Sequence, residues 1–178
     1  MTTTAIIGLG NMGKGIAKRL AGKTNLILAS RDLDAARAFA ATLPAGPEVL
    51  DVDAAITRAD VVVLALPFEV ALDIAKNSAL GSKTVVDLTN PVTPDFSGLT
   101  IGHTTSAAEE IQAAAPAAKI VKAYNTVFAG LFDLPPADTA RYQSSWRATM
   151  RRPSLSSKGW SRPRASRSKR PVALMRHG

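Results

Sequence analysis

A doubly wound parallel α/β sheet is predicted by three features of the sequence. Short apolar runs alternate with helical patterns about six times along the chain. The central run, Val61 to Leu66, is apolar on both faces, as a strand covered by helices on two sides must be. A glycine-rich turn follows the first run and opens the first helical pattern.

Taken in order, Thr4 to Ile7 is a β-type run ending in Gly8-Leu9-Gly10-Asn11-Met12-Gly13. The pattern behind it puts Ile16, Ala17 and Leu20 on one helix face and Lys14, Lys18 and Arg19 outside it, and Gly22 stops it. Asn25 to Ala29 is the second strand. Asp32 caps a helix in which Ala36, Phe39, Ala40 and Leu43 recur at helical spacing before Pro44. Val49-Leu50 is a weak third strand, and Asp53 precedes a short helix running to Ala59. After the central strand, Pro67 opens a helix over 68–76, and Thr84 to Leu88 forms a fifth strand. Ser106 and Glu109 have the spacing of a capping box for a helix that ends near Pro116, and Ile120 to Ala123 is the sixth strand.

Composition narrows the function classes. The chain has 178 residues, 46% hydrophobic and 20% charged, a globular balance. It contains no cysteine and two histidines, His103 and His177, so no thiolate or histidine-built metal site is expected, and no metal ligand is assigned. The Val61–Leu66 run is too short to cross a bilayer, and the N-terminus lacks the basic start of a secretory signal. A cytoplasmic protein with no membrane partner is the expectation. The net charge of +8 is unevenly spread. Residues 1–143 hold twelve Lys/Arg and all fourteen Asp/Glu, whereas residues 144–178 hold ten Lys/Arg, no acid and both tryptophans. The folded part is therefore slightly acidic, and nucleic acid is not an expected partner for it.

The glycine turn carries the chemistry. Gly8 permits a tight turn after the first strand, Gly10 removes a side chain where a pyrophosphate approaches, and Gly13 lets the helix pack close to the strand. The amides of Asn11, Met12 and Gly13 then open a helix whose positive dipole end attracts an anion. The end of the second strand selects the dinucleotide. NAD sites place an acid there to accept from the ribose 2′-hydroxyl; this chain has Ser30-Arg31, whose hydroxyl and guanidinium match a 2′-phosphate. NADP(H) is the expected cofactor, in a Rossmann-type domain. Asp32 is read as the helix cap, and an NAD-type acid is its other reading. Arg37 belongs either to the phosphate or to a solvated helix face.

In such a sheet the ligand lies at the carboxyl ends of the strands. Leu66-Pro67-Phe68, Asn90-Pro91 and Tyr124-Asn125-Thr126 stand there, and Phe68 and Tyr124 offer flat faces for a ring. For Asn90-Pro91, plain turn chemistry is an equal alternative. His103 has no acidic partner at motif spacing, and Ser106 is explained as a cap. Glu109 and Glu110 are adjacent on a helix and point apart, so they are no acid/base pair. No catalytic residue is assigned.

The segments IIGLGNMGKGIAKRLA, LASRD, VVVLALPFE, VVDLTNP, GHTTSAAEEIQ and VKAYNTVFA, spanning about residues 4–132, together resemble the coenzyme-F-420-dependent NADP oxidoreductases. The first segment alone also resembles pyrroline-5-carboxylate reductase and the β-hydroxyacid dehydrogenases. The resemblance implies a hydride transfer between NADPH and a deazaflavin, coenzyme F-420, as small-molecule acceptor. The alternatives are an NADP-dependent imine or keto-acid reductase, or a nucleotide-binding module without activity. It implies that Gly8 to Gly13 hold the pyrophosphate and that Ser30 and Arg31 hold the 2′-phosphate. Leu66 and Pro67 would line the nicotinamide ribose, and Asn90 and Asn125 the nicotinamide and substrate cleft. It also implies a homo-oligomer in intact family members. The family often carries a further basic residue after the Ser-Arg pair; here Asp32, Leu33, Asp34 and Ala35 follow, which implies weaker NADP selectivity.

The resemblance stops before the basic tail. Family members continue with a strand resembling VFVAGDDAEA, whereas this chain reads SSWRATMRRP from Ser144. Shifting each codon by one reading frame lets Ser144–Pro153 encode VVVAGDDAEA. Residues 144–178 are accordingly expected to be a frameshifted, disordered, non-native tail with the last strands of the sheet missing; a genuine basic binding segment is the other reading.

Overall fold

In the computed structural model, which describes residues 1–135, six strands alternate with five helices. They are β1 (Thr3–Ile7), α1 (Asn11–Leu20), β2 (Asn25–Ala29), α2 (Leu33–Ala40), β3 (Glu48–Leu50), α3 (Val52–Arg58), β4 (Val61–Leu64), α4 (Phe68–Asn77), β5 (Thr84–Asp87), α5 (Ala107–Ala114) and β6 (Lys119–Lys122). A 3-10 turn, Ala129–Phe132, follows. The strands form one sheet in the order β3-β2-β1-β4-β5-β6, every pair parallel. The chain thus starts in the middle, builds one half outward, then crosses back to β4 and builds the other. The Rossmann-type doubly wound fold predicted from the sequence is present, with β1 and β4 flanking the topological switch point.

The core forms two layers because the strand period of two sends alternate side chains to opposite faces. Ala5, Ile7, Ile27, Val62, Leu64 and Val85 pack on one face with α3, α4 and α5. Ile6, Leu26, Leu28 and Val63 pack on the other, beneath α1 and α2. Both faces of β1 and β2 are covered, which explains the apolar runs Ala5–Ile7 and Leu26–Ala29 within them.

Several local expectations need correction. The helix before the central strand starts at Val52, so Asp53 lies within it and does not precede it; Asp51 is the cap, its carboxylate accepting from the Ala54 amide at 2.8 Å. Asp53 instead accepts from the Ser78 hydroxyl at 3.0 Å. The central strand ends at Leu64; Ala65 and Leu66 turn away toward α4. The helix α2 ends at Ala40, and Leu43 lies in a following turn. Ser106 does cap α5, accepting from the Glu109 amide at 3.3 Å. Residues 144–178, read above as a tail, lie outside the described residues.

Candidate functional site

The carboxyl ends of β1, β2, β4, β5 and β6 open on the same edge of the sheet, and the glycine turn sits at the switch point. Gly8 has φ +97°, a conformation that favours glycine. A Cβ there would lie 2.5 Å from the Ala65 carbonyl oxygen and 2.7 Å from Leu66 Cδ2. A Cβ on Gly13 would lie 1.9 Å from the Gly8 carbonyl oxygen, so only glycine lets α1 approach the turn this closely. At Gly10, by contrast, an added Cβ would meet nothing within 4 Å. Two glycines are thus required by the protein's own packing, and the third leaves free space where an anion would approach.

That space lies at the start of α1. Its N-cap is Gly10, which supplies no side chain to bond the opening amides, and the first turn contains no acid. The amides of Asn11, Met12 and Gly13 remain available to an anionic ligand, assisted by the helix dipole. The Met12 side chain packs inward on the sheet, so only its backbone can take part. Beside Asn11, a cavity of about 330 Å³ opens between α1 and the 3-10 turn, lined also by Lys14, Lys18 and Asp133.

In the turn after β2 and the helix it opens, both Asp32 and Arg37 have partners within the protein. The Asp32 carboxylate accepts from the Ala35 amide at 2.9 Å and so caps α2. Arg37 pairs with Asp34 at 2.9 Å on an exposed helix face. Arg31 is exposed and makes no hydrogen bond or ion pair with the described residues. Ser30 accepts weakly from the Asp32 amide, at 3.4 Å, which leaves its proton available. The turn after β2 thus presents a hydroxyl whose proton is available and a guanidinium without a partner among the described residues.

On the other side of the switch point, Leu66 is partly buried against the core and Pro67 is the exposed N-cap of α4. The loops after β5 and β6 are joined directly: Asn90 Nδ2 donates to the Asn125 carbonyl at 2.9 Å. Asn90 and Asn125, 35 residues apart, are therefore brought to one wall of the cleft. The two aromatic residues are not free faces. Phe68 is only 5% exposed and belongs to the core. Tyr124 packs in the second core layer with its ring 6.3 Å from that of Phe132, and burial raises its phenol above its ordinary value. His103 is exposed in the loop before α5.

Three features were not foreseen. Lys122 Nζ donates to the fully buried carboxylate of Asp87 at 2.8 Å, linking β5 to β6. The 3-10 turn folds back over α1: a Cβ on Gly15 would lie 2.6 Å from the Phe132 ring, and Arg19 donates to the carbonyls of Leu131 and Leu134 at 3.4 and 2.6 Å. An exposed hairpin, Val92 to Leu99, leaves the end of β5 and carries Phe96 at φ +58°. Among the described residues no group of His, Asp and Glu is placed to hold a metal ion, and no helix is long and apolar enough to cross a membrane.

Known structures share this architecture. A hypothetical protein, SMa0349, from Sinorhizobium meliloti is 31% identical over 76% of this chain and 67% of its own, with a TM-score of 0.68. A protein from Arthrobacter sp. FB24, ascribed F420-dependent NADP-reductase activity, is 25% identical over 85% of this chain and 82% of its own, with a TM-score of 0.61. An imine reductase from Aspergillus terreus, solved with NADPH4 and dibenz[c,e]azepine, shares the fold at 20% identity and a TM-score of 0.52; this chain covers 39% of it. The family described as NADP oxidoreductase coenzyme F420-dependent matches residues 3–91, from the first strand through the glycine turn and the Ser30-Arg31 pair to Pro91. With its switch-point cleft and these matches together, the chain belongs to the coenzyme F420-dependent NADP oxidoreductase family.

Proposed function

We propose that this protein binds NADP(H) and acts as an oxidoreductase that moves a hydride between it and a planar ring acceptor of the deazaflavin type, coenzyme F-420. One observation carries the cofactor choice: the Asp32 carboxylate at the end of β2 caps a helix, while Arg31 beside it has no hydrogen-bond or ion-pair partner among the described residues. A 2′-phosphate supplies that partner; a 2′-hydroxyl does not. Gly8, Gly10, Asn11, Met12 and Gly13 hold the pyrophosphate through main chain, with Ser30 and Arg31 on the 2′-phosphate. Leu66, Pro67, Asn90 and Asn125 form the nicotinamide side.

NADPH itself supplies the reducing equivalent, so the protein's contribution is to bind, orient and exclude water. Hydride transfer between two rings requires no acid–base group. Family membership and the 25% identical Arthrobacter relative ascribed F420-dependent reduction support this choice of acceptor. Anaerobic mixing of the protein with NADPH and coenzyme F-420 tests it: the deazaflavin's visible absorbance is expected to decay in proportion to enzyme. Turnover of cyclic imines or keto acids instead, with F-420 untouched, contradicts the acceptor and leaves the cofactor reading standing.

A further inference from the structure

We propose that the buried Asp87–Lys122 pair is a positioning device for the nicotinamide wall of the cleft, fixing the loop that presents Asn90 against Asn125. The inference rests on the NADP(H) reading above. Asp87 closes β5, its side chain is fully buried, and its register partner across the sheet is Lys122 of β6. Both carboxylate oxygens are used: Oδ2 accepts from Lys122 Nζ at 2.8 Å and Oδ1 from the Thr89 amide at 2.8 Å. The ammonium is used equally fully, donating also to the Thr89 carbonyl and, at 3.3 Å, to the Thr89 hydroxyl. Thr89, 2% exposed, is thereby held through its amide, carbonyl and hydroxyl.

The next residue is Asn90, whose side chain reaches the Asn125 carbonyl three residues beyond Lys122. The ring closes through the Ala123 amide, which donates to the Asp87 carbonyl at 3.0 Å. Every atom of this network lies where β5 and β6 end, on the ligand edge of the sheet.

Stability is a poor reason for such a pair. Desolvating two charges costs several kcal/mol, and apolar residues of similar volume often serve as well. Val85, one strand repeat earlier on the same face, shows that the layer accepts such a residue. What the ion pair adds is a fully satisfied polar network with one geometry. Asp87 and Lys122 touch no ligand position themselves; they act through Thr89 and Asn90.

The test compares two ligands on the full chain by calorimetry: NADPH, and adenosine 2′,5′-bisphosphate, which has the adenine half and the 2′-phosphate but no nicotinamide. Lys122→Met removes the ammonium while keeping the stem. Thr89→Val removes one hydroxyl at constant volume and serves if Lys122→Met does not fold. Lys122→Met is expected to weaken NADPH about tenfold and Thr89→Val about threefold, with the bisphosphate unchanged within about twofold. Equal weakening of both ligands, or no change in either, overturns the inference. Wild-type protein that binds neither ligand overturns the NADP(H) reading and this inference with it, an outcome separate from the other two.

Discussion

Gly10 and Gly13 look interchangeable as letters in a motif, yet the space around them differs. A methyl group on Gly13 would strike the Gly8 carbonyl at 1.9 Å, whereas one on Gly10 meets nothing within 4 Å. Gly13→Ala is therefore expected to lower the melting temperature by roughly 10 °C or to prevent folding, since turn and helix must separate. Gly10→Ala should leave melting of the free protein within about 2 °C of wild type and still weaken NADPH by about tenfold or more, because the methyl enters only the ligand's space. Thermal melting with and without NADPH checks both. Arg31 belongs to the same scale. A charge-assisted bond to a phosphate contributes about 1.5–3 kcal/mol, so Arg31→Ala should cost NADPH roughly one to two orders of magnitude and NADH little. The spacing of the three glycines was legible in the sequence because the turn is local. The roles of Phe68 and Tyr124 were not. The first residue of α4 faces inward behind Pro67, and Tyr124 at φ +63° turns its ring to Phe132. Both outcomes are set by tertiary packing.

At the scale of elements, strands and helices followed from periodicity, while their boundaries followed from contacts that periodicity does not carry. Asp51 and Asp53 are both acceptable caps by residue type; the burial of Ala55 and Ile56 selects the register that Asp51 starts. The Asp87–Lys122 pair and the Asn90–Asn125 bond each join residues 35 apart and have no local signature. The hairpin after β5 behaves as a separate unit. The Asp95 carboxylate accepts from Thr93 Oγ1 at 2.6 Å, from Ser97 Oγ at 2.8 Å and from the Ser97 amide at 3.1 Å. These bonds, the Thr93 hydroxyl foremost, lower its pKa from 3.8 to about 2. The ionised form is the one stabilised, so the hairpin's added stability is complete above pH 3.8 and is lost as the pH falls through about 2. Protection of the Ser97 and Gly98 amides, taken relative to their intrinsic exchange rates, should therefore fall only on acidification below 3.8, and Asp95→Asn should leave that protection low throughout the interval. The 3-10 turn gives a second test. Gly15→Val drives two methyl groups into the space of Phe132, and faster proteolysis between Ala129 and Leu134 is expected while β1 and β4 stay protected.

For the whole molecule, the doubly wound order follows from chain alternation and the right-handed crossover rule, and it sets where a ligand can sit. On the proposed NADP(H) reading, β1 and β2 with their following turns would take the adenine side of the ligand, and β4, β5 and β6 the nicotinamide side. These halves meet along the β1–β4 pairing, at whose carboxyl end the glycine turn lies. A dinucleotide bridging them should stabilise the sheet as one body. At a hundredfold excess over its Kd it adds about 2.7 kcal/mol, which for a domain of this size raises the melting temperature by roughly 5–10 °C. The measurement closest to the central claim is a paired calorimetric titration with NADPH and NADH of the wild-type chain and of Arg31→Ala. Wild type is expected to bind saturably and with selectivity for NADPH, and the variant to lose at least about tenfold of that selectivity. Equal affinity for the two dinucleotides in wild type, or selectivity untouched by removal of the guanidinium, would contradict the claim.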